Sequence, residues 1–173
     1  MDNLSASKKS SYIFFNFYIF IYNAFNIYIL IFMDKKFRQI SIKPGFMKHN
    51  GGLLFRAISE NNYEFKTIIK ENHLNAAGIT HGGFIAAIID AGAGTAAHEA
   101  AGNSPCVTIS LELKFISAVK LGQELLGTTK IQKKTNSMVF LTCELKVDKK
   151  IVATASGVWK ILRKNLPGAG PGG

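Results

Sequence analysis

Between His73 and Ala101 the chain reads HLNAAGITHGGFIAAIIDAGAGTAAHEAA, a loop, a Gly-Gly corner and then a helical pattern, and this stretch gathers the groups best fitted to chemistry. Gly82 and Gly83 leave their backbone N–H groups unobstructed where the helix begins. The first amides of a helix have no intrahelical partner and sit at the positive end of its dipole. Such a corner can hold a developing oxyanion. Farther along, Phe84, Ile85, Ile88 and Ile89 form a bulky stripe, while Gly83, Ala86, Ala87, Ala93, Gly94 and Ala97 form a face of small residues that carries Asp90. A carboxylate there is either solvated or aimed at a group that needs the close approach its small neighbours allow. Composition alone does not choose.

The remaining candidates each have a plain reading. Asn75 fits a loop asparagine capping a turn, and Thr108 fits an ordinary β-branched strand residue. His49, His73 and His98 show no spacing that suggests a metal, and none is assigned. As a series, however, Asn75, Gly78, His81-Gly82-Gly83 and Asp90, with the Asn six residues before the His and the Asp nine after it, resemble the signature of hotdog-fold acyl-coenzyme A thioesterases of the thioesterase superfamily. The resemblance is to the acyl-coenzyme A thioesterase 13 and phenylacetate-pathway branch. It runs from about Leu53 to Ile161 and includes VTISLELKFISAVKLG (Val107 to Gly122), similar to the strand and turn that follow the family's helix.

The resemblance implies hydrolysis of a fatty- or aryl-acyl-coenzyme A to free acid and coenzyme A, with no cofactor, since coenzyme A is part of the substrate. It makes Asp90 the general base or nucleophile and the Gly82 amide the oxyanion donor. Asn75 would position the water or the thioester, Thr108 would orient the attacking water, and His81 would be structural rather than a base, contacting substrate beside Gly83. The nucleotide of coenzyme A would lie over Phe115–Lys120 and Lys133–Met138, which puts Phe115, Ser117, Lys120, Lys133, Lys134 and Ser137 at its binding site. Gly82 and Asp90 lie eight residues apart on one helix, about 12 Å along its axis, so one chain cannot aim both at a single carbonyl carbon. A homodimer is therefore required for the site, and the resemblance extends this to a dimer of dimers, a homotetramer. The rival classes are a hotdog dehydratase, which would use a histidine with an acid, and a non-catalytic binder of acyl-coenzyme A or lipid.

These groups must be carried by a scaffold. Leu53–Glu60 and Tyr63–Lys70 read as a strand pair across Asn61-Asn62, and Asn103-Ser104-Pro105 closes the helix. Four strands follow: Cys106–Ile116, Glu124–Thr135, Met138–Val147 and Ile151–Leu162, with turns at Leu121-Gly122, Asn136-Ser137 and Asp148-Lys149. In the first, Val107, Ile109, Leu111, Leu113 and Phe115 alternate with polar residues, which predicts one face on a core. The pattern alone predicts an α+β fold with an antiparallel sheet. The resemblance sharpens this to the hotdog fold, five to six antiparallel strands wrapped around one long central helix, over residues 53–164.

At 173 residues the chain suits one domain with extensions. The formal charge is +10, and because Met1–Met33 holds only Asp2, Lys8 and Lys9, about +9 of it falls on Asp34–Gly173. Such a domain favours a polyanion, for which nucleic acid, an acidic membrane surface and a coenzyme A nucleotide all qualify, and the charge also reads plainly as solubility charge. The basic stretches lack the interleaved aromatics of single-strand binding, so no nucleic-acid partner is expected. Cys106 and Cys143 show no metal spacing and read as strand thiols in a reducing compartment. Residues 1–33 are a hydrophobic extension in which Tyr12–Met33 is a run of 22 uncharged residues, about 33 Å as a helix. It reads either as a membrane anchor that keeps the domain on the cytosolic side or as translated upstream sequence before a start at Met33. The expected location is cytoplasmic or mitochondrial, membrane-associated only if the anchor is real. Residues 34–52 form a basic lead-in, expected as a short helix or extended arm, and residues 165–173 (NLPGAGPGG within Asn165–Gly173) a disordered tail.

Overall fold

The computed structural model describes residues 36–162, so the expectations for the hydrophobic extension and for the Gly/Pro tail lie outside the described residues. Alternation of apolar and polar residues becomes strands β2 (Leu53–Ser59), β3 (Asn62–Ile68), β4 (Cys106–Phe115), β5 (Glu124–Lys134), β6 (Met138–Val147) and β7 (Lys150–Ile161). The first hairpin turns at Glu60-Asn61, one residue earlier than expected. The lead-in segment takes both of the forms that the sequence left open, an extended stretch and a short helix. Arg38–Ile40 forms β1, a seventh strand that pairs with β2 through Ile40 and Leu53, and Phe46–His49 forms a single helical turn, α1. Ile40 and Met47 carry this segment into the core. All seven strands are antiparallel neighbours in the order β1-β2-β3-β5-β6-β7-β4.

The 19-residue helix α2 (Gly82–Ala100) packs on this sheet, which is the hotdog arrangement. Its stripe of Phe84, Ile85, Ile88 and Ile89 is buried, as expected, but Ala93 and Ala97 join the core instead of the outer small-residue face. Gly83 and Asp90 are exposed, with Ala86, Ala87 and Gly94 half-buried around them. The helix approaches the sheet closely at one ring: a Cβ on Gly92 would lie 2.3 Å from Phe65, and one on Gly127 of β5 would lie 2.2 Å from it. Only glycine at both places admits that aromatic, and burying such a ring contributes about 2–3 kcal/mol.

Strand β4 departs from its expected register. Thr108 pairs with Trp159 and Ser110 with Val158, so Ile109 is an extra residue, a β-bulge. Cross-strand partners share a face of the sheet, and Trp159, buried against α2, puts Thr108 on the helix side. Beyond the bulge Leu111, Leu113 and Phe115 take over that face, paired with Gly157, Ala155 and Ala153. The strict alternation predicted for Val107 to Phe115 is therefore broken, and because β4 is an edge strand, Val107, Ile109 and Phe115 are 42%, 56% and 57% exposed.

Candidate active site

The loop that enters α2 is held by a histidine the sequence did not single out. His73 is buried, stacks on Phe84 with ring centroids 3.8 Å apart, accepts the Lys70 N–H at Nδ1 (3.0 Å) and lies 3.0 Å from the Asn50 carbonyl at Nε2. With Nδ1 accepting, the proton sits on Nε2 and is donated to Asn50. The His73 backbone carbonyl accepts the His81 N–H at 2.8 Å, which ties the residue to the start of the helix. No spacing in the sequence carries this role, because its partners are backbone groups of two other segments.

Burial pushes the His73 imidazole below its ordinary value. The unfolded chain therefore takes up a proton at higher pH than the folded one, so the stability from neutral His73 is complete above about pH 6.5 and declines as pH falls through the depressed folded value. The melting temperature is expected to drop between pH 7 and pH 5, and a His73→Gln variant, less stable at pH 7, should show a shallower drop over that interval. A variant with the same pH slope as wild type would remove His73 from this account.

Asn75 uses its side-chain oxygen within the loop, accepting from the N–H groups of Ala77 (2.9 Å) and Ile79 (3.3 Å). This is the turn-capping role open from sequence, and it leaves the amide nitrogen as a donor. His81 caps the helix: its Nδ1 accepts the Gly83 N–H at 2.9 Å, worth about 1 kcal/mol. Phe84 and Ile85 donate to the His81 carbonyl. Of these first amides, Gly82 N–H alone has no partner among the described residues. Phe115 lies beside it, its Cζ 3.5 Å from the place a Gly82 Cβ would take.

Two turns along the helix, the Thr108 hydroxyl donates to Asp90 Oδ1 at 2.6 Å, an interaction that the bulge at Ile109 makes geometrically available. Asp90 and Thr108 form part of the wall of a cavity of about 670 Å³ bounded by β1 and the residues after it, the outer face of α2, and the start of β4. The structure thus joins Asp90 to Thr108 and joins Gly82 to Gly83, His81 and Phe115. It does not bring the two groups together within one chain.

The expected nucleotide contacts divide in the same way. Ser117 and Lys120 follow β4 at the end of the sheet that holds the helix start, where Thr80 donates to the Val119 carbonyl and Lys120 N–H to Gln123. Lys133, Lys134 and Ser137 surround the β5–β6 turn at the other end. An 11-residue strand, roughly 35 Å, separates the two sets, so a single chain does not gather them around one nucleotide. Lys134 pairs with Val139, Val139 with Trp159 and Trp159 with Thr108, which places Lys134 in the cross-strand row of the Asp90 partner and Lys133 in the next row. Among the described residues no cluster of side chains could hold a metal ion, and no helix is long and apolar enough to cross a membrane. Burial pushes the Cys143 thiol up to about 12 and raises that of Cys106, consistent with packing thiols.

Residues 77–154 match the thioesterase superfamily. A Pseudomonas aeruginosa protein named as a candidate esterase, PA0474, is 34% identical over 94 residues, which is 54% of this chain and 70% of that protein. Acyl-coenzyme A thioesterase 13 of Mus musculus is 28% identical over 77 residues, 44% of this chain, and the match spans 55% of the relative's length. Among solved structures, zebra fish thioesterase superfamily member 2 superposes with a TM-score of 0.64 at 21% identity, covering 69% of this chain and 88% of that one. The smu.793 protein of Streptococcus mutans, solved bound to acetyl-coenzyme A, superposes with a TM-score of 0.62 at 17% identity, covering 72% and 97%.

Proposed function

This chain belongs to the thioesterase superfamily, and on that premise we propose that it hydrolyses a fatty- or aryl-acyl thioester of coenzyme A to the free acid and coenzyme A. The observation that carries the reading is the Asp90 carboxylate, exposed on the wall of a cavity and held at one oxygen by Thr108. Its other oxygen is available to take a proton from water as that water attacks the acyl carbon. The carbonyl oxygen becomes an oxyanion against the Gly82 N–H, the one amide of the helix start left without a partner among those described above. Collapse of the tetrahedral intermediate breaks the C–S bond, and its electron pair leaves on the coenzyme A sulphur. A thiolate leaves readily, so the Asp90 proton need only return to it afterwards. A dehydratase would need an imidazole paired with an acid, and among the described residues His81 has its side-chain bond to the Gly83 N–H and none to a carboxylate.

The two halves of the site come from two copies of the chain in this proposal, paired about a two-fold axis. Gly82 would bring Phe115, Ser117 and Lys120 from one subunit, and Asp90 and Thr108 would bring Lys133, Lys134 and Ser137 from the other. That arrangement lets both lysine sets reach one nucleotide. Coenzyme A compounds bound to a structural neighbour support a nucleotide site of this kind.

The direct test is thiol release from a panel of acyl-coenzyme A substrates by the purified protein. Steady turnover is expected, and binding of a nonhydrolysable thioester analogue without any turnover of the panel would leave only the non-catalytic binder. Charge reversal at Lys133 and Lys134 together is expected to raise KM several-fold with little change in kcat, and more so at low salt. A short pantetheine thioester, which lacks the nucleotide, should be unaffected. Equal effects on both substrates would remove these lysines from the nucleotide site.

A further inference from the structure

The cavity beside Asp90 contains a polar group that the proposed reaction does not use. Trp159 lines it and is 1% exposed, yet its indole N–H makes no hydrogen bond to any described residue. Among the described residues the Thr129 hydroxyl is the sole enclosed side-chain polar atom without a partner, so the indole nitrogen is not sealed and opens on the cavity. What exposes it is Gly94. A Cβ at that position would lie 3.2 Å from Trp159 Nε1, close enough to cover the N–H. Ala91 and Thr95 flank Gly94 on the same wall, and the Thr95 hydroxyl is turned back to the Ala91 carbonyl at 2.8 Å.

We infer that Trp159 is a specificity residue that reads an oxygen on the acyl group, and that this chain prefers oxygenated acyl thioesters to plain alkyl ones. The inference rests on the thioesterase reading, because it places the acyl group in the cavity next to Asp90. A plain alkyl chain would displace water from the indole N–H and leave the donor of a buried side chain unpaired, which carries a penalty. An acceptor oxygen on the chain restores the bond. Its position follows from the helix: Gly94 is one turn beyond Asp90, about 6 Å along the axis. An acceptor several bonds from the thioester carbon is therefore called for, and an oxo or hydroxyl oxygen on the fifth carbon of a six-carbon acyl group serves as its probe.

Trp159 is the only tryptophan in the chain, so its indole proton gives a single resonance that reports on the contact directly. Two thioether analogues of coenzyme A, which cannot be hydrolysed, separate binding from catalysis. The one carrying a 5-oxohexyl group should shift the indole proton downfield, and the hexyl one should not. With thioester substrates, wild type should favour 5-oxohexanoyl- over hexanoyl-coenzyme A by about 10-fold in kcat/KM. Trp159→Phe should erase that ratio, and Gly94→Ala, which covers the N–H without removing the core ring, should do the same if the first variant fails to fold. The downfield shift without any turnover would defeat the thioesterase reading and leave the Trp159 contact standing. Equal ratios in wild type and Gly94→Ala, or identical indole shifts with both analogues, would overturn the inference.

Discussion

Asp90→Asn is expected to lower turnover of acyl-coenzyme A by about 100-fold or more, the loss associated with a general base or nucleophile. The substitution separates chemistry from architecture. Asparagine keeps an oxygen in the place of Oδ1, so the Thr108 hydroxyl, 2.6 Å away, retains its acceptor. Asp90 is exposed on the outer face of the helix, and its replacement neither opens a hole in the core nor strands a buried partner. The melting temperature should therefore stay near that of wild type, and a nonhydrolysable thioester analogue should bind as before. Turnover within a few-fold of wild type would dismiss Asp90 as the reacting group. A folded variant that no longer binds the analogue would make the carboxylate a substrate anchor instead.

The strands were legible because each carries its own signal. Period-two alternation bounded by Gly, Asn or Asp located β2 to β7 to within a residue or two, and the Gly-Gly corner located the start of the helix. Arg38–Ile40 was not legible as a strand because three residues hold no period; it is a strand only because β2 offers it an edge. The bulge at Ile109 was hidden for the opposite reason. The alternation of Val107 to Phe115 looks unbroken, and only pairing with β7 reveals that one residue has no partner and that Thr108 turns toward the helix. The same limit applies to the site. Asp90 and Gly82 stand out by type and spacing and Thr108 only through the family resemblance, whereas His73 and Trp159 act through groups far away in the chain, the Asn50 carbonyl and the space left at Gly94.

Gly82→Pro and Asp90→Ala are each expected to abolish turnover when present in both subunits, and to recover part of it when the two variants share a dimer. Proline at Gly82 removes the one amide proton assigned to the oxyanion, which makes no bond to the described residues. The local backbone accepts it: Gly82 is the first residue of the helix, where proline is favoured. His81 before it has φ −62 and ψ 130, the extended conformation that a following proline requires. A Cβ at Gly82 would meet Phe115 only at 3.5 Å, an ordinary contact. In a mixed dimer with a shared two-fold site, one site keeps both the Gly82 amide and the Asp90 carboxylate and the other keeps neither. Random assembly makes half the dimers mixed, each with one working site, so roughly a quarter of wild-type activity should return. Differential tags allow the mixed species to be isolated, and there the recovery should rise to about half. Verified mixed dimers with no more activity than either parent would mean that Gly82 and Asp90 do not meet across a subunit boundary, and since about 12 Å of helix separates them within a chain, one of the two would have to leave the mechanism.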